Sequence, residues 1–136
     1  MSRIAFYLIG LVFLQEAILS QPLIGMKKQE IIVYMNQSEP DFVLDNSMVN
    51  KQYNYLKYFD RINEETILCF LSDDNICTFI RRMSDYSNLQ NTLKRLDKEY
   101  KKIENDKWIY SINKEEFMVE LKREKWYFTL ETKRKK

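Results

Sequence analysis

Hydrophobic and polar residues change period several times along this chain, and each change marks an element. Leu89, Leu93, Leu96, Tyr100 and Ile103 recur at spacings of four, three, four and three. That rhythm draws one apolar stripe and predicts a helix over 88–103. Ser87 with Gln90 three residues on fits a capping box, and Asp85 competes as a cap half a turn earlier. A shorter helix is expected over 26–37, where Ile31, Ile32 and Met35 share a side, Gly25 precedes and Pro40 stops the run.

Elsewhere the period is two. Phe42, Val43 and Leu44 make a brief strand, and Tyr53, Tyr55, Lys57 and Phe59 alternate with Asn54, Leu56 and Tyr58. Segments 66–72 and 76–83 flank Asp73-Asp74, a hairpin turn without glycine, since Asp and Asn tolerate the left-handed backbone better than other side chains. Three further apolar sets follow: Trp108, Tyr110, Ile112; then Phe117, Val119, Leu121; then Trp126, Phe128, Leu130. Asn113-Lys114 and Arg123-Glu124 separate them as turns, so three strands form an antiparallel sheet with one apolar side that the 88–103 helix covers. A parallel sheet would need strands apolar on both sides. The expected fold is therefore a two-layer α+β sandwich, an antiparallel sheet of meandering hairpins covered on one face by one long and one short helix.

Register decides the state of Cys69 and Cys77. A two-residue turn at Asp73-Asp74 puts them on opposite faces, whereas a three-residue loop centred on 73 sets them directly across, close enough for a disulfide. The apolar neighbours Ile67, Leu68, Phe70 and Leu71 favour two buried free thiols. A zinc site lacks ligands, because the chain has no histidine and no second cysteine pair.

The first twenty residues alter the picture. Arg3, the apolar run 4–14 and the more polar QEAILS have the layout of a signal peptide, too short to span a bilayer. Cleavage after Ser20 would leave Gln21 first. A single domain is expected over 21–132 with a basic tail over 133–136, exported to a periplasmic or secreted location, and membrane-bound only if the leader is retained. The sequon Asn36-Gln37-Ser38 adds nothing without a cell type.

Composition excludes more than it indicates. With 136 residues, 45% of them hydrophobic, one packed domain is affordable and two are not. Glycine occurs only at Gly10 and Gly25, too far apart for a phosphate-cradling loop. The absence of histidine removes the usual base for a Ser or Cys nucleophile. The acidic pairs Glu64-Glu65, Asp73-Asp74 and Glu115-Glu116 all fall at expected turns. No catalytic residue, metal ligand or cofactor is assigned, and the chain reads as a non-enzyme.

The leader, the helix opener GMKKQEIIVYMNQ, the strand NKQYNYLKYFD, the cysteine hairpin and the closing KWYFTLETK together resemble small exported bacterial proteins without an assigned function. The opener alone resembles the start of SmpA/BamE-type and β-lactamase-inhibitor-like small domains. This chain has Lys28 where those domains often carry Ser or Thr, and it lacks their helix-closing Gly and Pro. A role in outer-membrane assembly or enzyme inhibition is therefore not carried over.

Two readings of function follow. In the first, the chain is an exported binding or scaffold module that meets an unknown protein partner through Tyr53, Tyr55 and Tyr127. In the second, Lys94, Arg95, Lys98, Lys101 and Lys102 on one helix, with the terminal KRKK, bind an anionic surface or nucleic acid. The net charge of only +2 and the expected export disfavour nucleic acid.

Overall fold

The computed structural model of the chain describes residues 23–46 and 54–135. The expected leader and Tyr53 lie outside them. Among the described residues the fold is mixed α+β. Its helices are α1 (Lys28–Ser38) and α2 (Leu89–Glu99). Its strands are β1 (Val43–Leu44), β2 (Tyr55–Asp60), β3 (Glu65–Leu71), β4 (Cys77–Asp85), β5 (Lys101–Glu104), β6 (Lys107–Ile112), β7 (Glu115–Arg123) and β8 (Tyr127–Arg134). All eight form one antiparallel sheet in the order β1-β2-β3-β4-β8-β7-β6-β5. The expected C-terminal three-stranded sheet is thus half of a larger one, joined to the first meander by seven residue pairs between β4 and β8.

Glycine is scarce, so other residues make the turns. Asn75, Asp106, Asn113, Lys114 and Glu64 all have positive φ, between 51° and 69°. Asn113-Lys114 closes β6 onto β7 with Ile112 opposite Glu115, the two-residue turn that the sequence predicts. Asp60 organises the β2–β3 turn, its carboxylate accepting from the Ile62 N–H at 2.9 Å and the Asn63 side-chain amide at 2.8 Å. That carboxylate is buried, and the turn amides replace its lost water.

Gly25 has φ +93°, and a Cβ there would meet Arg134 Nη2 at 2.9 Å, so this turn requires glycine. The Gly25 N–H donates to the Cys77 carbonyl and the Cys77 N–H to the Met26 carbonyl, fixing α1 to the start of β4. Glu30 accepts from the Lys27 N–H and caps α1. At α2 the Asp85 carboxylate accepts from the Ser87 N–H at 2.9 Å, so Asp85, not the Ser87–Gln90 box, caps the entry. A single 3₁₀ turn, Tyr86–Asn88, leads into the helix.

The predicted helix overran its end. Tyr100 is already extended, with φ −119° and ψ 163°, and Ile103 lies in β5, 39% exposed. A lysine-rich edge strand happens to continue the helical spacing for one more apolar residue. The β7–β8 turn also differs: the Glu124 N–H donates to the Tyr127 carbonyl across Lys125-Trp126, not at Arg123-Glu124. Trp126 therefore sits at a turn tip, 76% exposed, instead of in the core.

Alternation and register give the sheet a core face and an outer face. One hydrophobic cluster joins Ile31 and Met35 of α1 to Leu56, Tyr58, Ile67, Cys69 and Phe117. The other joins Leu96 of α2 to Trp108, Val119, Leu121, Phe128 and Leu130. Asp97 adds a polar tie, accepting from the Trp108 indole N–H at 2.9 Å. Leu96→Ala should destabilise by about 2–5 kcal/mol in urea unfolding. Ile103→Ala should cost under about 0.5 kcal/mol; equal losses would place Ile103 back in the helical stripe.

Candidate functional site

The outer face carries a cluster of half-buried aromatic and charged side chains. Register lines up Tyr55, Phe70 and Phe79 across β2, β3 and β4. Their rings meet at 5.9 Å and 5.5 Å between centroids, tilted and then edge-on. Arg81, two residues along β4 from Phe79, holds its guanidinium 5.6 Å from the Phe70 ring and 5.7 Å from the Phe79 ring. No residue of this face belongs to either hydrophobic cluster. Phe59, at the far end of β2, adds a further exposed ring.

Charge beside the rings is fixed rather than loose. Glu131 of β8 sits opposite Arg81, accepting from its Nε at 2.8 Å, and meets Lys122 Nζ at 2.6 Å. Burial pushes the Glu131 carboxyl up, but the hydrogen bonds from Lys122 and Arg81 outweigh it and hold its pKa below the usual carboxylate value. The result is a platform in which cation, carboxylate and rings contact one another.

Tyr55 and Tyr127 both lie on this face, far apart. They are separated by three strand spacings and three side-chain rows, roughly 14 Å across the sheet and 20 Å along it. The five candidate basic residues divide. Lys94, Arg95 and Lys98 are on α2, while Lys101 and Lys102 are strand residues of β5, so the single basic helix is corrected to a helix followed by an edge strand. The peptide turns extended at Tyr100, which breaks the helical spacing on which that cluster depended. Lys102 stands 5.7 Å from the Trp108 ring. The basic tail is shorter than expected as well. Lys133 and Arg134 belong to β8, Arg134 pairs with Glu115 at 3.0 Å, and Lys135 meets Glu116 at 3.6 Å.

Neither sequence register for the cysteines holds. Leu71 faces Cys77 but Phe70 faces Phe79, so Thr78 is an extra residue in a bulge and Cys69 faces Ile80. The direct pairing of Leu71 with Cys77 puts both thiols on the core face as diagonal neighbours, buried and free. The Cys77 thiol and burial together push the Cys69 pKa well up, which favours the protonated, unreactive form. Among the described residues no group of three or more His, Cys, Asp or Glu is placed to hold a metal ion, and no helix is long and apolar enough to cross a membrane.

Phe70, Phe79, Arg81 and Glu131 were not singled out from sequence. Their signal was the alternation itself, which assigns them to the face away from Cys69 and Leu130, but their convergence requires the β3–β4–β8 register. Comparison with family models, curated proteins and solved structures finds no match to this chain.

Because the folded pKa of Glu131 lies below its ordinary value of 4.5, its contribution is fully present above that value and is lost as pH falls through the folded one. Glu131→Gln should therefore lower stability by about 1 kcal/mol at neutral pH. The gap to wild type should close in acid. A gap independent of pH would show that the carboxylate charge is not what Arg81 and Lys122 use.

Proposed function

We propose that this chain is an exported, non-enzymatic binding module whose protein partner docks on the outer face of the sheet. The observation that carries the reading is the Tyr55–Phe70–Phe79 row with Arg81 held over two of its rings. Aromatic and arginine side chains supply most of the binding energy in protein interfaces, and pre-ordered ones lose little entropy on contact. In this reading the domain is two-layered, with α1 and α2 both over the core face and the outer face left for the partner. The inclusion of Tyr34, Met35, Leu96 and Tyr100 in the lining of one cavity over that core face supports the arrangement. Export rests on the leader-like first twenty residues, whose removal would leave Gln21 at the N-terminus.

The alternative of anionic-surface binding keeps support from Lys94, Arg95 and Lys98, all exposed on α2. The division of the cluster between helix and strand weakens it as one continuous patch.

A photo-crosslinking side chain placed in turn at Tyr55, Tyr127, Lys94 and Lys98, in cells that make the protein, separates the readings. The outer-face reading expects a discrete adduct from Tyr55 and Tyr127, on protein whose mass begins at Gln21, with yield little changed by salt. In direct binding to the captured partner, Tyr55→Ala should cost about 1–2 kcal/mol. Adducts from α2 alone, lost steeply as salt rises, would transfer the function to the basic surface.

A further inference from the structure

The sheet end opposite Gly25 carries a contact surface separate from the outer face. Asp60, Glu65, Ser84, Phe128 and Arg123 stand in one row across β2, β3, β4, β8 and β7. Beyond that row the β2–β3 turn has four residues, 61–64, and the β7–β8 turn also has four, 124–127. The two turns therefore project from one line, three strand spacings or roughly 14 Å apart.

Polar contacts hold them there. The 3₁₀ turn Tyr86–Asn88 lies between them, the Asn88 side-chain amide donating to the Asn63 carbonyl at 3.0 Å and the Tyr86 hydroxyl to the Glu124 carbonyl. Both turns are thus tied to one brace. From them protrude Ile62, 81% exposed, and Trp126, 76% exposed, the two most exposed large hydrophobic side chains among the described residues. A single exposed apolar residue is ordinary on a protein surface. Two at one sheet end, on turns fixed to each other, leave apolar area that the fold itself does not cover.

The flanking residues indicate what covers it. Each protruding side chain follows a basic residue, Arg61 before Ile62 and Lys125 before Trp126, and Lys125 Nζ stands 5.1 Å from the Trp126 ring. Glu64 and Glu124 on the same turns balance those two cations. A protein partner would find its strongest contacts in a contiguous dry patch, but here the polar brace separates the two apolar side chains. A lipid interface takes apolar side chains singly at one depth, holds a Trp ring at headgroup level, and lets Lys and Arg reach phosphates along apolar stems. We propose that this end of the sheet rests on a phospholipid bilayer surface, with Trp126 and Ile62 inserted at the headgroup boundary and Lys125 and Arg61 on lipid phosphates. Because the turn charges balance, insertion rather than net charge carries the binding, and the contact does not need the leader.

Vesicles of phosphatidylcholine, alone and mixed with phosphatidylglycerol, test this on the protein as its own cells process it. The two tryptophans are the buried Trp108 and the exposed Trp126, and neither lies in the first twenty residues, so their fluorescence reports the tip and not the leader. Protein should sediment with both vesicle types, with a blue shift of emission and loss of iodide quenching, and salt should change this little. Trp126→Ala should weaken binding about tenfold and Ile62→Ala about threefold. Val33→Ala, at an exposed position of α1, should leave it unchanged. All three are surface changes and should keep the wild-type circular dichroism. Sedimentation with Trp126 still open to iodide, or unchanged in both tip variants, would assign the membrane contact to another part of the chain and overturn the proposal. Absence of sedimentation with either vesicle would overturn it as well, and self-association lost in Trp126→Ala would assign the tip to a second copy instead.

Discussion

The rest of the structure depends on the pairing of β4 with β8. Each half of the chain forms its own meander, and neither would bury its last strand alone. From Phe79 opposite Lys133 to Asp85 opposite Tyr127, the seam supplies backbone partners to two strands that would otherwise be exposed edges. It also fixes which side chains share a face. Ile80 with Thr132, Arg82 with Leu130, and Ser84 with Phe128 align the cores of both halves. A slip of one residue would turn Phe128 and Leu130 toward the outer face if β8 shifted, or set Arg81 into the core if β4 did.

That constraint divides the work of the sheet. The core face holds the large buried side chains, Trp108, Tyr58 and Phe128 among them. The outer face spends its apolar area differently, on rings kept partly exposed and held in place by a neighbouring guanidinium. Arg81 and Arg82 are consecutive on β4 yet serve opposite faces: one is stacked on Phe70 and Phe79 and bound to Glu131, the other is bound to Glu65 beside the interhelical cavity. Two adjacent residues thus serve opposite faces because a strand has period two.

Much of this was legible in the sequence, and the limits have physical causes. α1, the start of α2 and most strands follow from periodicity, because burial on one side writes its period into the residues. The β6–β7 turn follows from Asn113-Lys114, whereas the β7–β8 turn, which has no Asn or Asp, was misplaced. Register was not legible: the connection over 72–76 is longer than either expected turn, the bulge at Thr78 has no sequence mark, and together they change which residues Cys69 and Cys77 face. The end of α2 was hidden because Ile103 continues a helical spacing after the backbone has already turned extended at Tyr100. Trp126 misled for the opposite reason, since a large aromatic one position before a strand reads as part of its alternation. Of the outer face, Tyr55 and Tyr127 stood out as surplus aromatics, whereas Phe70, Phe79 and Arg81 looked like ordinary strand residues until register brought them together.

Residue-resolved hydrogen exchange tests the seam most directly. If β4–β8 pairing unites the two meanders, the amides of Ile80, Arg82, Leu130 and Thr132 should be among the slowest to exchange, and both halves should open only with global unfolding. Fast exchange along the seam, with β2–β3 and β6–β7 each protected independently, would mean two separately stable meanders and would contradict the role given to the β4–β8 seam.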